Sequence, residues 1–115
     1  MPVFTMNDSL RLLQDTLIKT HAKLREAIPN AADAAARQAL LTEMGEVTHR
    51  VQVVGSLLFK SQTQGLSEQV KAVTSATRQV NAAIAGIKQF KDFIDGMSKF
   101  LSLVDTAIDL AKKLP

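Results

Sequence analysis

Apolar residues recur every three or four positions along most of this chain, and that period divides it into three helices. The longest run begins at Ser67 and ends at Leu114. It carries Val70, Val73, Val80, Ile84, Ile87, Phe90, Ile94, Met97, Leu101, Val104, Ile108 and the small Ala111, with Thr77 in the one gap. No proline interrupts it. A continuous helix of that length would span about 70 Å at roughly 1.5 Å per residue, and alone it has nowhere to bury its stripe. The rest of the chain, or a second copy, has to cover it.

Two shorter runs precede it. Leu10, Leu13, Leu17, Leu24 and Ile28 predict a helix over about 8–28. Asn7 or Asp8 would cap it, and Pro29 would stop it by disfavouring helical geometry in the residue before. Thr20 and His21 stand where this seam passes from Leu17 to Leu24. A second helix over about 31–61 would open at Asn30, with Asp33 three residues on as a partial capping box. Its seam of Leu40, Met44, Val47, Val51, Val54 and Leu58 alternates steps of four and three, a coiled-coil heptad pattern. Gly45 and Gly55 lie inside it, and each costs about 1 kcal/mol against Ala in a helix, so they mark a close crossing or a bend. Ser61–Gly65 reads as a polar turn and Ser67 as the cap of the third helix. So short a connection predicts helices two and three as the central hairpin, with helix one folded against it.

The third helix has a register defect. Ile84, Ile87 and Phe90 are three apart and three apart again, a stammer, with Gly86 beside it. Asp95-Gly96 follows, and Ser98 is placed to cap a new helix. A kink or break is therefore expected near 86–96. With only Asp95-Gly96 offered as a turn, the spacing favours a continuous or kinked helix over 67–114 rather than a fold-back. The expected fold is all-α. It is a single domain over residues 1–115, an antiparallel bundle of three long coiled-coil-like helices, or four if the last one breaks.

Composition agrees with this and narrows the function. The apolar fraction of 46% is too high for a disordered chain. Pro29 is the one proline away from the ends, which suits long helices and not a turn-rich sheet fold. With no cysteine, disulfides, thiolate metal sites and thiol catalysis are excluded. No signal peptide and no conventional membrane span is visible, so the cytoplasm is the expected location, with export lacking a cleaved leader also compatible.

Candidate chemistry is sparse. His21 and His49 lack a second histidine or carboxylate at metal-binding spacing, and Glu43, Glu46 and His49 give only one of the two Glu-x-x-His pairs that a di-iron bundle needs. No nucleophile–base motif and no phosphate-cradling glycine loop is present. The expectation is no enzyme, no cofactor and no metal. Lys71, Arg78, Lys88 and Lys91 outnumber Glu68 in residues 67–91, four cations against one acid, and Lys71, Arg78 and Lys88 could form a basic face. Without a basic block or aromatic platforms, nucleic acid is not the expected partner. Thr77 reads as a threonine bonded to its own helix rather than a register-setting group.

The tail offers more. Its apolar residues cover more than half the helix circumference, which asks for two neighbours or a membrane surface. The expected function is protein–protein interaction or self-assembly, as an adaptor or complex subunit. The expected surface is Phe93, Met97, Phe100, Leu101, Val104 and Ile108. A homodimer is the simplest assembly, and Leu101→Asp would dissolve it. The alternative is a membrane-active helical protein stored as a soluble bundle, whose tail leaves by hinging at Gly86 and Gly96; four Asp in that segment weaken its attraction to anionic lipid.

Overall fold

The computed structural model describes residues 6–87 and 90–115. Helix α1 runs Asp8–Ala27, α2 Ala34–Gly55, α3 Gln64–Ser75, α4 Thr77–Ala85 and α5 Phe90–Lys112. A 3-10 turn, Ile28–Asn30, joins α1 to α2. α3 and α4 follow each other with only Ala76 between them, so the fold is a four-helix bundle measuring 56 × 21 × 18 Å.

The starts of α1, α2 and α3 are fixed by small polar side chains. The Asn7 side chain accepts from the Leu10 amide at 3.1 Å, Asp33 from Ala36 at 2.8 Å, and Thr63 from Leu66 at 3.2 Å. The first cap is as expected. The other two correct the reading of Asn30 and Ser67: both helices begin at a different residue, because the cap must have extended backbone and a side-chain oxygen reaching its own third amide.

Between α3 and α4 the Thr74 and Thr77 hydroxyls donate to the carbonyls of Lys71 and Thr74, at 3.0 and 2.7 Å. Such back-bonding favours bends in helices, and here the two bonds flank the break at Ala76. Thr77 does bond its own helix. The chain then reverses after α4, whose end Gly86 caps by donating to the Ala82 carbonyl. α5 packs back along both α3 and α4. The anticipated continuous or kinked 67–114 helix is thus replaced by a fold-back, and the turn falls after Ala85 rather than at Asp95-Gly96.

Gly96 has a different task. It lies inside α5, and a Cβ built on it would stand 2.8 Å from the Ala83 Cβ of α4. The residue that resembled a hinge is where two helices approach closely. Gly45 does neither: a Cβ there meets nothing.

The bundle consists of two antiparallel hairpins, α1–α2 and α3/α4–α5, lying side by side. α1 meets α3 and α4, and α2 meets α5. α2 and α3 sit across the diagonal and barely touch, which corrects the expected central hairpin of helices two and three. The long α2–α3 connection is tied down at one end of the bundle. There the Asn7 amide donates to the carbonyls of Lys60 and Ser61, and Ser61 donates its amide to the Pro115 main-chain oxygen at 2.9 Å. Gln62 donates to the Ser9 hydroxyl at 2.6 Å, and Lys60 Nζ to the Leu114 carbonyl at 2.8 Å. These bonds fasten both outer helix ends to the diagonal connection. Among the described residues no helix is long and apolar enough to cross a membrane.

Candidate binding surface

The face expected to bind partners is used inside the chain. Phe93, Met97 and Val104 have no exposure, and Phe100, Leu101 and Ile108 are buried with them. The physical reason is the fold-back: α5 meets α3 and α4 on one flank and α2 on the other, so its wide stripe finds its two neighbours in the same chain. Ala107 and Ala111 are buried too. Phe93, Met97, Phe100, Leu101, Val104 and Ile108 are core residues of the closed bundle and not a free surface. Among the described side chains, the large apolar groups that α5 leaves exposed are Ile94 and Leu110.

The α2 seam divides in the same way. Leu40, Val47 and Val54 are fully buried, whereas Met44, Val51 and Leu58 are half-buried. His21 is half-buried in a small cleft between α1 and α2 beside Ile18, Thr48 and Val51, and His49 is exposed. Among the described residues no three His, Asp or Glu side chains are grouped as a metal site would need.

Glu43 and Glu46 belong to the seam between the hairpins. Arg50 of α2 holds Asp105 of α5 with two hydrogen bonds, at 2.7 and 2.9 Å, and Glu46 at 2.9 Å. The bonds to Asp105 hold the guanidinium in its charged form against the cost of burial. Glu43 lies one turn away, and its Oε2 is buried without a hydrogen-bond partner. Burial, and secondarily the Glu46 charge, push its carboxyl above the ordinary glutamate value, with Arg50 opposing. The cluster fastens one hairpin to the other.

The open surface lies elsewhere, between the parallel helices α1 and α3/α4. A cleft of about 450 Å³ runs along their junction, lined by Leu12, Thr16, Lys19, Thr20 and Lys23 from α1 and by Thr74, Thr77 and Asn81 from α3/α4. Thr16 and Thr20 are buried and form its floor, and Leu12 is 47% exposed. The break at Ala76 sits between Thr74 and Thr77, so this wall spans the junction of α3 and α4. Lys71 and Arg78 lie outside the lining, three residues before Thr74 and Asn81 respectively. Both are exposed, as are Lys19 and Lys23. Two of the three residues of the expected basic face, Lys71 and Arg78, are therefore exposed on the helices that form the second wall, and Lys88 lies outside the described residues. A larger cleft of about 840 Å³ between α4 and α5 has mixed charge, with Asp92 and Asp95 beside Lys99.

Sequence reasoning missed Lys19 and Lys23 because they lie some fifty residues from Lys71 and Arg78. A signal was present. Thr16 and Thr20, one turn apart, and Lys19 and Lys23, one turn apart, make a polar flank beside the leucine seam of α1. No protein-family model, curated relative or solved structure matches this chain.

Proposed function

We propose that the protein is a non-catalytic binding module that holds a partner protein on the outside of a closed helical bundle, in the groove between α1 and α3/α4. One observation supports this above the others: the apolar face of α5 is already covered within the chain, whereas the α1–α3/α4 cleft is open and flanked by exposed cations. Self-association through Phe93, Met97, Phe100, Leu101, Val104 and Ile108 would require the two hairpins to separate. A tail lying on a membrane would require the same opening, against the Arg50–Asp105 bonds and the polar ties at the Asn7 end.

A photo-crosslinking side chain at Leu12, with Thr106 on the exposed side of α5 as the control position, tests the proposal in cells expressing the full chain. Discrete protein adducts from position 12 and none from position 106 are expected. Adducts from position 106 alone, or from neither, would overturn it.

A further inference from the structure

We infer that the occupant of the α1–α3/α4 groove is an acidic amphipathic helix of a partner protein; this rests on the groove being the binding surface proposed above. The argument is one of charge and of hydrogen-bonding capacity. Lys19 and Lys23 line one wall, and Lys71 and Arg78 are exposed outside the lining, three residues before Thr74 and Asn81 of the other. Among the described residues the one ion pair these four make is Lys23–Glu26, at 3.9 Å between exposed side chains, which is weak. Asp15, Glu26 and Glu68 lie one turn from Lys19, Lys23 and Lys71, and none of these acids lines the cleft. The lining thus carries a cationic rail, Lys19 and Lys23, and no carboxylate, with a second, outer rail at Lys71 and Arg78 beyond it.

The floor between the rails is suited to carbon rather than phosphate. Thr16 and Thr20 donate their hydroxyl protons to the carbonyls of Leu12 and Thr16, at 2.8 and 2.9 Å. Thr74 and Thr77 donate theirs to Lys71 and Thr74. All four hydroxyl donors are used within the helices, so the threonines have methyl groups and no protons to offer a ligand, and Leu12 adds an exposed apolar side chain. A phosphate backbone would meet cations at the wall and the Asn81 amide, but no free hydroxyl donor below, and no aromatic ring lines the cleft for a base to stack on. A lipid surface is served by protruding apolar groups, whereas this is a recess.

A helix with an apolar stripe flanked by carboxylates meets both requirements. Its stripe covers Leu12 and the threonine methyls, and its acidic flanks reach the rails, the arrangement by which amphipathic helices occupy grooves. From Leu12 to Lys23 the wall is about 16 Å long at roughly 1.5 Å per residue, room for about three helical turns.

The test uses the full chain and a fluorescent synthetic peptide of about five turns, with a leucine stripe flanked by glutamates, read by anisotropy. The controls are the same peptide with lysine for glutamate, a single-stranded oligonucleotide, and phosphatidylglycerol vesicles. The glutamate peptide is expected to bind, and the lysine peptide to bind about tenfold more weakly or worse. Lys19→Glu together with Arg78→Glu should invert that preference while leaving the thermal transition unchanged. Equal binding of the two peptides, indifference to the double substitution, or tighter binding of the oligonucleotide or the vesicles at these residues would overturn the inference. If crosslinking at position 12 succeeds while the peptide preference fails, the occupant's chemistry is wrong and the groove stands. If both fail, the groove itself is wrong.

Discussion

The inner face of α5 and the groove beside α1 follow the same bundle axis, and they differ in nearly every other respect. The α5 face is broad, made of Phe, Met, Leu, Val and Ile, and wholly covered by three other helices. The groove is narrow, made largely of threonines and lysines, and open. In the sequence the first is conspicuous and the second almost silent. A wide apolar stripe measures how many neighbours a helix needs, and it does not say whether they come from the same chain. Here the chain supplies them. The surface left for a partner is the quieter one, where parallel helices from different hairpins meet and leave a seam incompletely filled.

This contrast can be broken by substitution, and the largest effect belongs to the core. Phe100→Ala removes a fully packed ring and should cost about 3–5 kcal/mol, lowering the melting temperature sharply in thermal denaturation. Leu12→Ala in the groove should leave the melt nearly unmoved. Leu101→Asp places a charge in the core and should unfold the chain rather than split an assembly, which circular dichroism would show as lost helicity. If instead Leu101→Asp stayed folded and only its mass changed in sedimentation, the α5 face would be a surface after all.

The glycines come next. Gly96→Ala sets a methyl 2.8 Å from the Ala83 Cβ. Neither group can swing aside, so α4 and α5 must separate slightly. Overpacking of about 1–3 kcal/mol should outweigh the helix-propensity gain of about 1 kcal/mol, giving a net loss that Ala83→Gly in the same chain partly restores. Gly45→Ala meets nothing and should stabilise by about 1 kcal/mol in urea unfolding. Opposite signs for the same substitution in two helices separate a packed glycine from a merely tolerated one.

Glu43 gives a smaller, pH-dependent effect. The folded chain holds its proton more tightly than the unfolded chain does, because burial and Glu46 disfavour the charged form. Stability therefore falls as pH rises from the ordinary glutamate range through the raised value, and the loss is complete above it. Glu43→Gln should raise the melting temperature at pH 7 and flatten the profile between mildly acidic and neutral pH. An unchanged profile would mean that Glu43 is solvated. The smallest effect on stability belongs to Lys19→Glu with Arg78→Glu, which should change binding and leave the melt alone.

The fold class, the first helix and the three apolar seams were legible because a 3.6-residue period survives whatever the helices pack against; the choice between Asn7 and Asp8 as first cap was not. The pairing of helices was not. Ser61–Gly65 looks like a hairpin turn after a helix running to about residue 61, yet α2 ends at Gly55 and the connection over 56–63 crosses the diagonal, held by bonds to Asn7, Ser9 and Pro115 from the two far ends of the sequence. Gly86 and Gly96 look alike in the sequence. One caps a helix before a reversal, and the other makes room for a neighbouring methyl; only the approach of α4 to α5 distinguishes them. The cations beside the groove at Lys71 and Arg78 were readable, but the lysines that line it, Lys19 and Lys23, were not. Their place there depends on α1 lying parallel to α3/α4, which no local pattern encodes.

The most direct test is hydrogen exchange of the full chain, followed by mass spectrometry, with and without the glutamate-flanked peptide. The bundle described here predicts that amides around Phe93–Ile108 exchange among the slowest in the free protein and do not change on binding. Protection should be gained over residues 12–23 and 71–81. Fast exchange along α5 in the free protein, or new protection there in place of α1 and α3/α4, would contradict it: the apolar face of α5 would then be the working surface and the groove an incidental seam.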